Sequence, residues 1–293
     1  SKSAVFTAHV TGAADIKATS GVLTPTPSGM ITVTTGSTAT VRVETAANGS
    51  GTIVPSQSVV SGNGITVYAI TRDASGNFLA NVTATAWILE NISGGVVVGD
   101  LIPSVDGKSA LFTGHAVGSA TMKASSGVVP ATISGTITIT AGIATKVRVV
   151  IPAQALVLGS SITAYSITRD ASNNFVANVA ATAWVLENIT GGVVAGDLIP
   201  AVDGKSALFT AHVIGTADIR ATSGVLTATP SGTITATAGS TATLRVETLA
   251  NGSGTVVPSQ SIASGNPMTV YAVTRDASGN FLANVAATAW TLE

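Results

Sequence analysis

Cysteine is absent from this 293-residue chain. That excludes a disulfide framework and any thiolate metal site, so each domain must rely on its own apolar core. It does not exclude export, because disulfide-free domains of about 100 residues can bury enough surface to fold. Charge is scarce: Asp, Glu, Lys and Arg make up 9% of residues, and the net charge is -1. Nucleic-acid binders cluster Lys and Arg, and no such cluster occurs. No block of like charge suggests a tail or an anionic-membrane contact either. The longest apolar runs are a handful of residues broken by Gly and Thr, too short to span a bilayer. Aromatic residues are only 4%, and no window sustains a helical period.

What the chain has instead is repetition, with abundant Val, Thr, Ser, Ala and Gly, a composition that favours strands over disorder. Thr71-Arg72-Asp73-Ala74-Ser75-Gly76-Asn77-Phe78 returns at Thr168–Phe175 and again at Thr274–Phe281, at spacings of 97 and 106 residues. Trp87, Trp184 and Trp290 follow the same spacings, as do Tyr68, Tyr165 and Tyr271. His9, His115 and His212 use them in the opposite order. Residues 1–66 align without gaps on 204–269 at roughly three-quarters identity. The middle copy is 9 residues shorter and lacks the stretch around Ala47-Asn48-Gly49-Ser50-Gly51. A deletion that keeps the frame marks a surface loop.

Alternation runs through each unit. Ala4, Phe6, Ala8 and Val10 share one face, opposite Val5, Thr7 and His9; Ala39, Val41 and Val43 oppose Thr40, Arg42 and Glu44. A period of two means strands with one buried face. Turn signals at Ser20-Gly21, Pro27-Ser28-Gly29, Asp73–Asn77 and Asp106-Gly107-Lys108 separate the runs. Short strands at this spacing in a unit near 100 residues predict an all-β chain, a tandem array of two-sheet antiparallel β-sandwiches. Thr35-Gly36-Ser37, Ala141-Gly142-Ile143 and Ala238-Gly239-Ser240 read as junctions. They divide the chain into a C-terminal half-domain at 1–36, whole domains at 37–142 and 143–239, and an N-terminal half-domain at 240–293. Linkers this short predict a stiff array.

Several residues invite chemistry. His9, His115 and His212 lie a domain length apart and cannot share a site, so each reads as an exposed strand residue. Asp106, Ser109 and His115 hold the residue types of a hydrolase, but no G-x-S-x-G elbow or oxyanion loop accompanies them. Asp73-x-Ser75-x-Asn77 offers oxygens at alternate positions, as a Ca²⁺ loop does, yet no bidentate Glu follows; a turn capped by Asp, with Gly at positive φ, is the simpler reading. Trp87, Trp184 and Trp290 read as sandwich-core residues. Five N-x-S/T sequons occur, at Asn48, Asn81, Asn91, Asn188 and Asn251; all but Asn81 fall in expected loops. No catalytic, cofactor or metal residue is expected, and no nucleic-acid partner.

The order of signals resembles bacterial immunoglobulin-like domains of the invasin and intimin type. The residues that carry the resemblance are Tyr68–Asn77, Val82–Trp87, Asp106–Ala110 and Gly118–Ala124. The resemblance covers the whole chain and specifies fold better than function, since such domains are mostly spacers and surface-exposed modules. It implies an extracellular or cell-surface location and no enzymatic activity. The expected role is a filament, stalk or surface layer; the alternative is a segment of an adhesin that binds a host, cell or carbohydrate ligand. Glu293 aligns with Glu187 and Ser1 with Gly204, so Asn188–Asp203 has no counterpart at either end. The two half-domains therefore read as completed by neighbouring segments, either head-to-tail copies or the continuation of a longer polypeptide, with the register-matched cut favouring continuation.

Overall fold

The computed structural model describes residues 2–293. The chain is all-β, and the helical elements among the described residues are two 3-10 turns, Val98–Asp100 and Ala195–Asp197. It divides into two compact units, residues 1–142 with 171–174, and residues 143–170 with 175–293.

In the first unit, β1 (Gly12–Ala14) and β2 (Ile31–Val33) form an isolated antiparallel pair. A sandwich follows from β3 (Thr38–Glu44), β4 (Gln57–Val60), β5 (Gly64–Asp73), β6 (Phe78–Asn81), β7 (Ala86–Gly94), β8 (Leu101–Pro103), β9 (Ser109–Thr113), β10 (Gly118–Ser125), β11 (Ala131–Thr132) and β12 (Ile137–Thr140). One sheet runs β4-β12-β10-β7, and the other β11-β3-β5-β9-β8 with β6 also on β5. The first strand is split between the sheets as β3 and β4, and the last as β11 and β12. Split strands that run in the same direction meet in parallel, β11 on β3 and β12 on β4, while the remaining ladders are antiparallel. This is the two-sheet immunoglobulin-like arrangement.

The alternation decides what lies between the sheets. Val41 and Val43 of β3, Phe112 of β9, Met122 of β10 and Ile137 and Ile139 of β12 are all fully buried in one cluster. Each such burial contributes ~1.5–3 kcal/mol.

The second unit repeats the plan with β13 (Lys146–Val149), β14 (Gln154–Val157), β15 (Ser161–Arg169), β16 (Phe175–Asn178), β17 (Ala183–Gly191), β18 (Leu198–Pro200), β19 (Ser206–Thr210), β20 (Gly215–Thr222), β21 (Thr227–Thr229) and β22 (Ile234–Thr237). Its core holds Val147, Phe209, Ile219 and Ile234. Beyond it, β23 (Thr243–Glu247), β24 (Tyr271–Arg275) and β25 (Phe281–Asn284) form a three-stranded sheet.

The sequence suggests a strand over residues 4–10, and none forms there. Its equivalent β19 pairs with β15 and β18. Residues 2–36 contain no counterpart of either, so the alternating segment has no ladder to join, and Phe6 stays 51% exposed where Phe209 is fully buried.

Candidate functional site

The most repeated feature of the sequence, the Asp73–Asn77 turn, has the densest polar geometry. β5 ends at Asp73 and β6 begins at Phe78, so the turn joins two antiparallel strands. Asp73 Oδ1 accepts from the Ser75 and Asn77 backbone N–H groups at 2.9 and 2.8 Å. Oδ2 accepts from Asn77 Nδ2 at 2.9 Å and from the Gly36 N–H at 2.9 Å. The Asn77 side chain, then the Gly36 N–H, hold the Asp73 carboxyl down at about 2. Asn77 Nδ2 also reaches the His9 carbonyl at 3.1 Å.

Asp276 is built alike. It accepts from Ser278, Asn280 and, at 3.0 Å, from the Gly239 N–H. Burial pushes its carboxyl up, but the bonds from Asn280, Gly239 and Ser278 outweigh that and leave it lowered. The left-handed position of the turn is Gly76 at φ 85° and Gly279 at φ 84°, and Asn173 at φ 73° in the middle copy. Asn tolerates that region, so the turn survives the exchange. Asn174 of that copy, which groups with the first unit, donates to the His115 carbonyl and to Ser61 Oγ, both at 2.9 Å, and accepts from the Val117 N–H at 3.0 Å.

The turn therefore does more than reverse the chain. Gly36 and Gly239 are the residues read as junctions, and each gives its N–H to an Asp of the strand pair that follows. The two Asp73 oxygens are filled by three backbone N–H donors and the Asn77 side-chain amide, the arrangement of a capped turn. Among the described residues, no three His, Asp or Glu side chains gather as a metal site.

A second feature was not legible in the alternation. Glu44 falls on the face opposite Val41 and Val43, which reads as exposed, yet it is 1% exposed. Arg72 explains this: its Nε and Nη2 meet Glu44 Oε1 and Oε2, each at 2.6 Å. Arg72 also donates to the carbonyls of Gly49, Gly51 and Gly76 at 3.0, 3.2 and 2.9 Å. The guanidinium thus clamps both the junction turn and the loop at 45–53. Arg275 and Glu247 repeat the pair, with Gly252, Gly254 and Gly279 as carbonyl partners. Arg275 holds the Glu247 carboxyl low. In the middle copy Val150 stands where Glu44 does, and the clamped loop is missing. The joint loss of Glu and loop was the available signal.

The histidines are exposed, as the strand pattern implies, but two of them have a partner. His115 Nδ1 lies 3.0 Å from Oδ1 of the buried Asp100, and His212 Nδ1 lies 2.7 Å from Asp197. The hydrolase trio does not assemble. Asp106 accepts from Ser104 Oγ and the Lys108 N–H in its own hairpin, and these lower its carboxyl. The Ser109 N–H gives its bond to Ser104 Oγ, and His115 turns to Asp100.

Trp87 and Trp184 are half-buried against their cores and donate from Nε1 to the carbonyls of Gly107 and Gly204, each at 2.9 Å. Trp290 is 56% exposed, because the strands that cover its counterparts lie in the later part of the repeat. Asn91 and Asn188 correct the loop assignment of the sequons: both lie inside strands, β7 and β17, at bulges where they take φ 52° and 53°.

No protein-family profile matches the chain, and no curated protein sequence does either. Several solved structures are similar to the chain at low identity. The Escherichia coli adhesin FdeC is 17% identical over 84% of this chain and 77% of its own, with a TM-score of 0.35. Drosophila OTK extracellular domains 3–5 are 9% identical over 74% and 72%, at 0.34. Domains 4–9 of the surface layer protein SbsC are 15% identical over 84% and 37%, at 0.26. At such identities and scores the likeness does not extend to function.

Proposed function

We propose that the chain is a structural segment of an extracellular or cell-surface array of immunoglobulin-like domains, forming a filament, stalk or surface layer, and that it is not an enzyme. Its domains run 1–36, 37–142, 143–239 and 240–293, with the two partial domains completed by neighbouring segments. One observation carries the reading. Positions fully buried in the whole domains are open in the partial ones: Phe6 is 51% and Ile16 42% exposed against 0% for Phe209 and Ile219. Leu244 and Val246 are 60% and 43% exposed against 0% for Val41 and Val43. These faces are complementary halves of one sandwich, the later strands on 1–36 and the earlier strands on 240–293. A segment of one fits the open face of the other by strand addition, which propagates without closing.

Denaturing electrophoresis and electron microscopy of the native material test this. Fibres or layers that yield a band near 28.8 kDa support joined copies, and fibres of much larger chains support continuation. A soluble monomer with protease-labile ends 1–36 and 240–293 overturns the reading.

A further inference from the structure

Five sequons are present, and the structure separates them. Asn48-Gly49-Ser50 and Asn251-Gly252-Ser253 lie in matching exposed loops. In each, the Ser N–H donates to the Asn Oδ1 at 3.1 Å, and the Ser hydroxyl donates to the same oxygen at 2.6 and 2.7 Å. Hydrogen bonds to the carbonyl oxygen polarise the amide, and the electron density drawn from its nitrogen makes the N–H more acidic. Among the described residues, no protein group accepts from the Asn48 Nδ2. The loop itself is held from behind. Arg72 binds the Gly49 and Gly51 carbonyls, and Gly49, at φ 83°, sits so close to Phe78 that a Cβ would lie 2.4 Å from its ring. Asn and Ser are thereby presented outward on a fixed turn.

Of the other three, two have amide and hydroxyl both occupied and one has its hydroxyl engaged. Asn91 Nδ2 donates to Thr121 Oγ1 at 3.1 Å, and Asn188 Nδ2 donates to Asp218 Oδ2 at 2.6 Å. Their sequon hydroxyls, on Ser93 and Thr190, bond across the sheet to Ser119 and Thr216 at 2.8 and 2.7 Å. Asn81 is half-buried, and the hydroxyl of Thr83 is given to the Asp106 carbonyl at 2.9 Å.

We propose that Asn48 and Asn251 are N-glycosylation sites, and that Asn81, Asn91 and Asn188 are not. The donor is a polyprenyl-diphosphate-linked oligosaccharide. The Asn amide nitrogen forms a C–N bond to the anomeric carbon as the C–O bond breaks. The polyprenyl diphosphate leaves with that electron pair, and the amide gives up one proton. The middle copy, lacking the loop, carries no such site, so the two glycans stand 203 residues apart. The proposal rests on the extracellular reading above, since acceptor sequons meet this donor on the export route.

Glycopeptide mass spectrometry of chain isolated from its native source tests it. Expected are glycan on Asn48 and Asn251 and bare peptides at Asn81, Asn91 and Asn188. Glycan on Asn81, Asn91 or Asn188, or none on Asn48 and Asn251, overturns it. In the full chain returned to its source, Ser50→Ala should remove the Asn48 glycan and leave that on Asn251, while Ser50→Thr keeps both. Retention of the Asn48 glycan in Ser50→Ala overturns the role of the hydroxyl. Protease digestion of intact cells separates the two readings: an exported but sugar-free chain overturns this proposal alone, and a sugar-free chain held inside the cell overturns both.

Discussion

Phe112 loses all solvent exposure between the two sheets of its domain, whereas His115, three residues on, is an exposed side chain whose bond is to Asp100. The two therefore differ sharply in what truncation costs. Phe112→Ala leaves a void that a close-packed sandwich fills only in part, and should cost ~3–5 kcal/mol. His115→Ala removes an exposed ring and should stay within about 1 kcal/mol. Urea unfolding of the chain, followed by tryptophan fluorescence, measures both; comparable losses would place Phe112 outside the core. The Arg72–Glu44 pair supplies a second contrast. Both Glu44 oxygens are bound, and the residue is 1% exposed, so Glu44→Ala strands a guanidinium that also holds two segments of backbone. Lys123–Glu90 is a single contact between side chains about one-third exposed, and Glu90→Ala should cost no more than about 1 kcal/mol. Glu44→Ala should lower the unfolding midpoint several times as far, and an equal shift for the two variants would deny the clamp.

At the scale of elements, the junction turn gives a prediction in pH. The Asn77 and Gly36 bonds depress the Asp73 carboxyl to about 2, against about 3.9 for an ordinary Asp. A depressed carboxylate stabilises the fold above its unfolded pKa, so the contribution is complete above about pH 4 and is lost as pH falls through about 2. The Gly36 amide proton resonance should therefore titrate with a midpoint near 2, and a midpoint near the ordinary value would mean that the Asp73–Gly36 bond is not formed. The clamped loop gives another prediction. Deleting nine residues across 45–53 should destabilise the domain when Glu44 remains, and less when Glu44→Val is made with it, reproducing the natural pairing of Val150 with the short connection. The elements also show what alternation can and cannot reveal. Val41, Val43 and Phe112 were assignable because a period of two sorts apolar from polar. Glu44 was not, because its burial depends on an arginine 28 residues away, a distance in sequence at which periodicity is silent. Asn91 and Asn188 read as loop residues in the sequence because a bulge, which lets a polar residue with positive φ sit inside a strand, leaves no mark in the alternation. Asp73 was legible as a turn residue, but its second oxygen binds Gly36 of a different segment, and only the folded chain brings these together.

For the whole molecule, the open faces at residues 2–36 and 240–293 lead to a construction. Relative to the complete copy at 143–239, these two segments lack only the counterpart of Asn188–Asp203. That stretch carries the end of β17, the 3-10 turn Ala195–Asp197 and the edge strand β18 (Leu198–Pro200). An edge strand closes a sheet but does not build its centre, so most of the core lies in the two segments themselves. Leu244 and Val246 bring the face that Val41 and Val43 bury in the complete domain, and Phe6 and Ile16 bring the positions of Phe209 and Ile219. A single chain of 240–293, then 188–203, then 1–36 should therefore fold as an independent sandwich of the longer repeat length, 106 residues. It should unfold in one cooperative step, with Phe6 and Trp290 now covered. Omitting 188–203 should keep the strand signal in circular dichroism but lower the midpoint, because the connection is strained and one sheet edge is left open. Putting Phe6→Ala into the 106-residue chain should cost ~3–5 kcal/mol, as for any core phenylalanine, while the same change should scarcely move the melting of the 293-residue chain as a separated monomer, where that ring has no partner. Equal sensitivity in both contexts would show that residues 1–36 have a folded partner within the chain itself, and the completion of one segment by another would then have no basis.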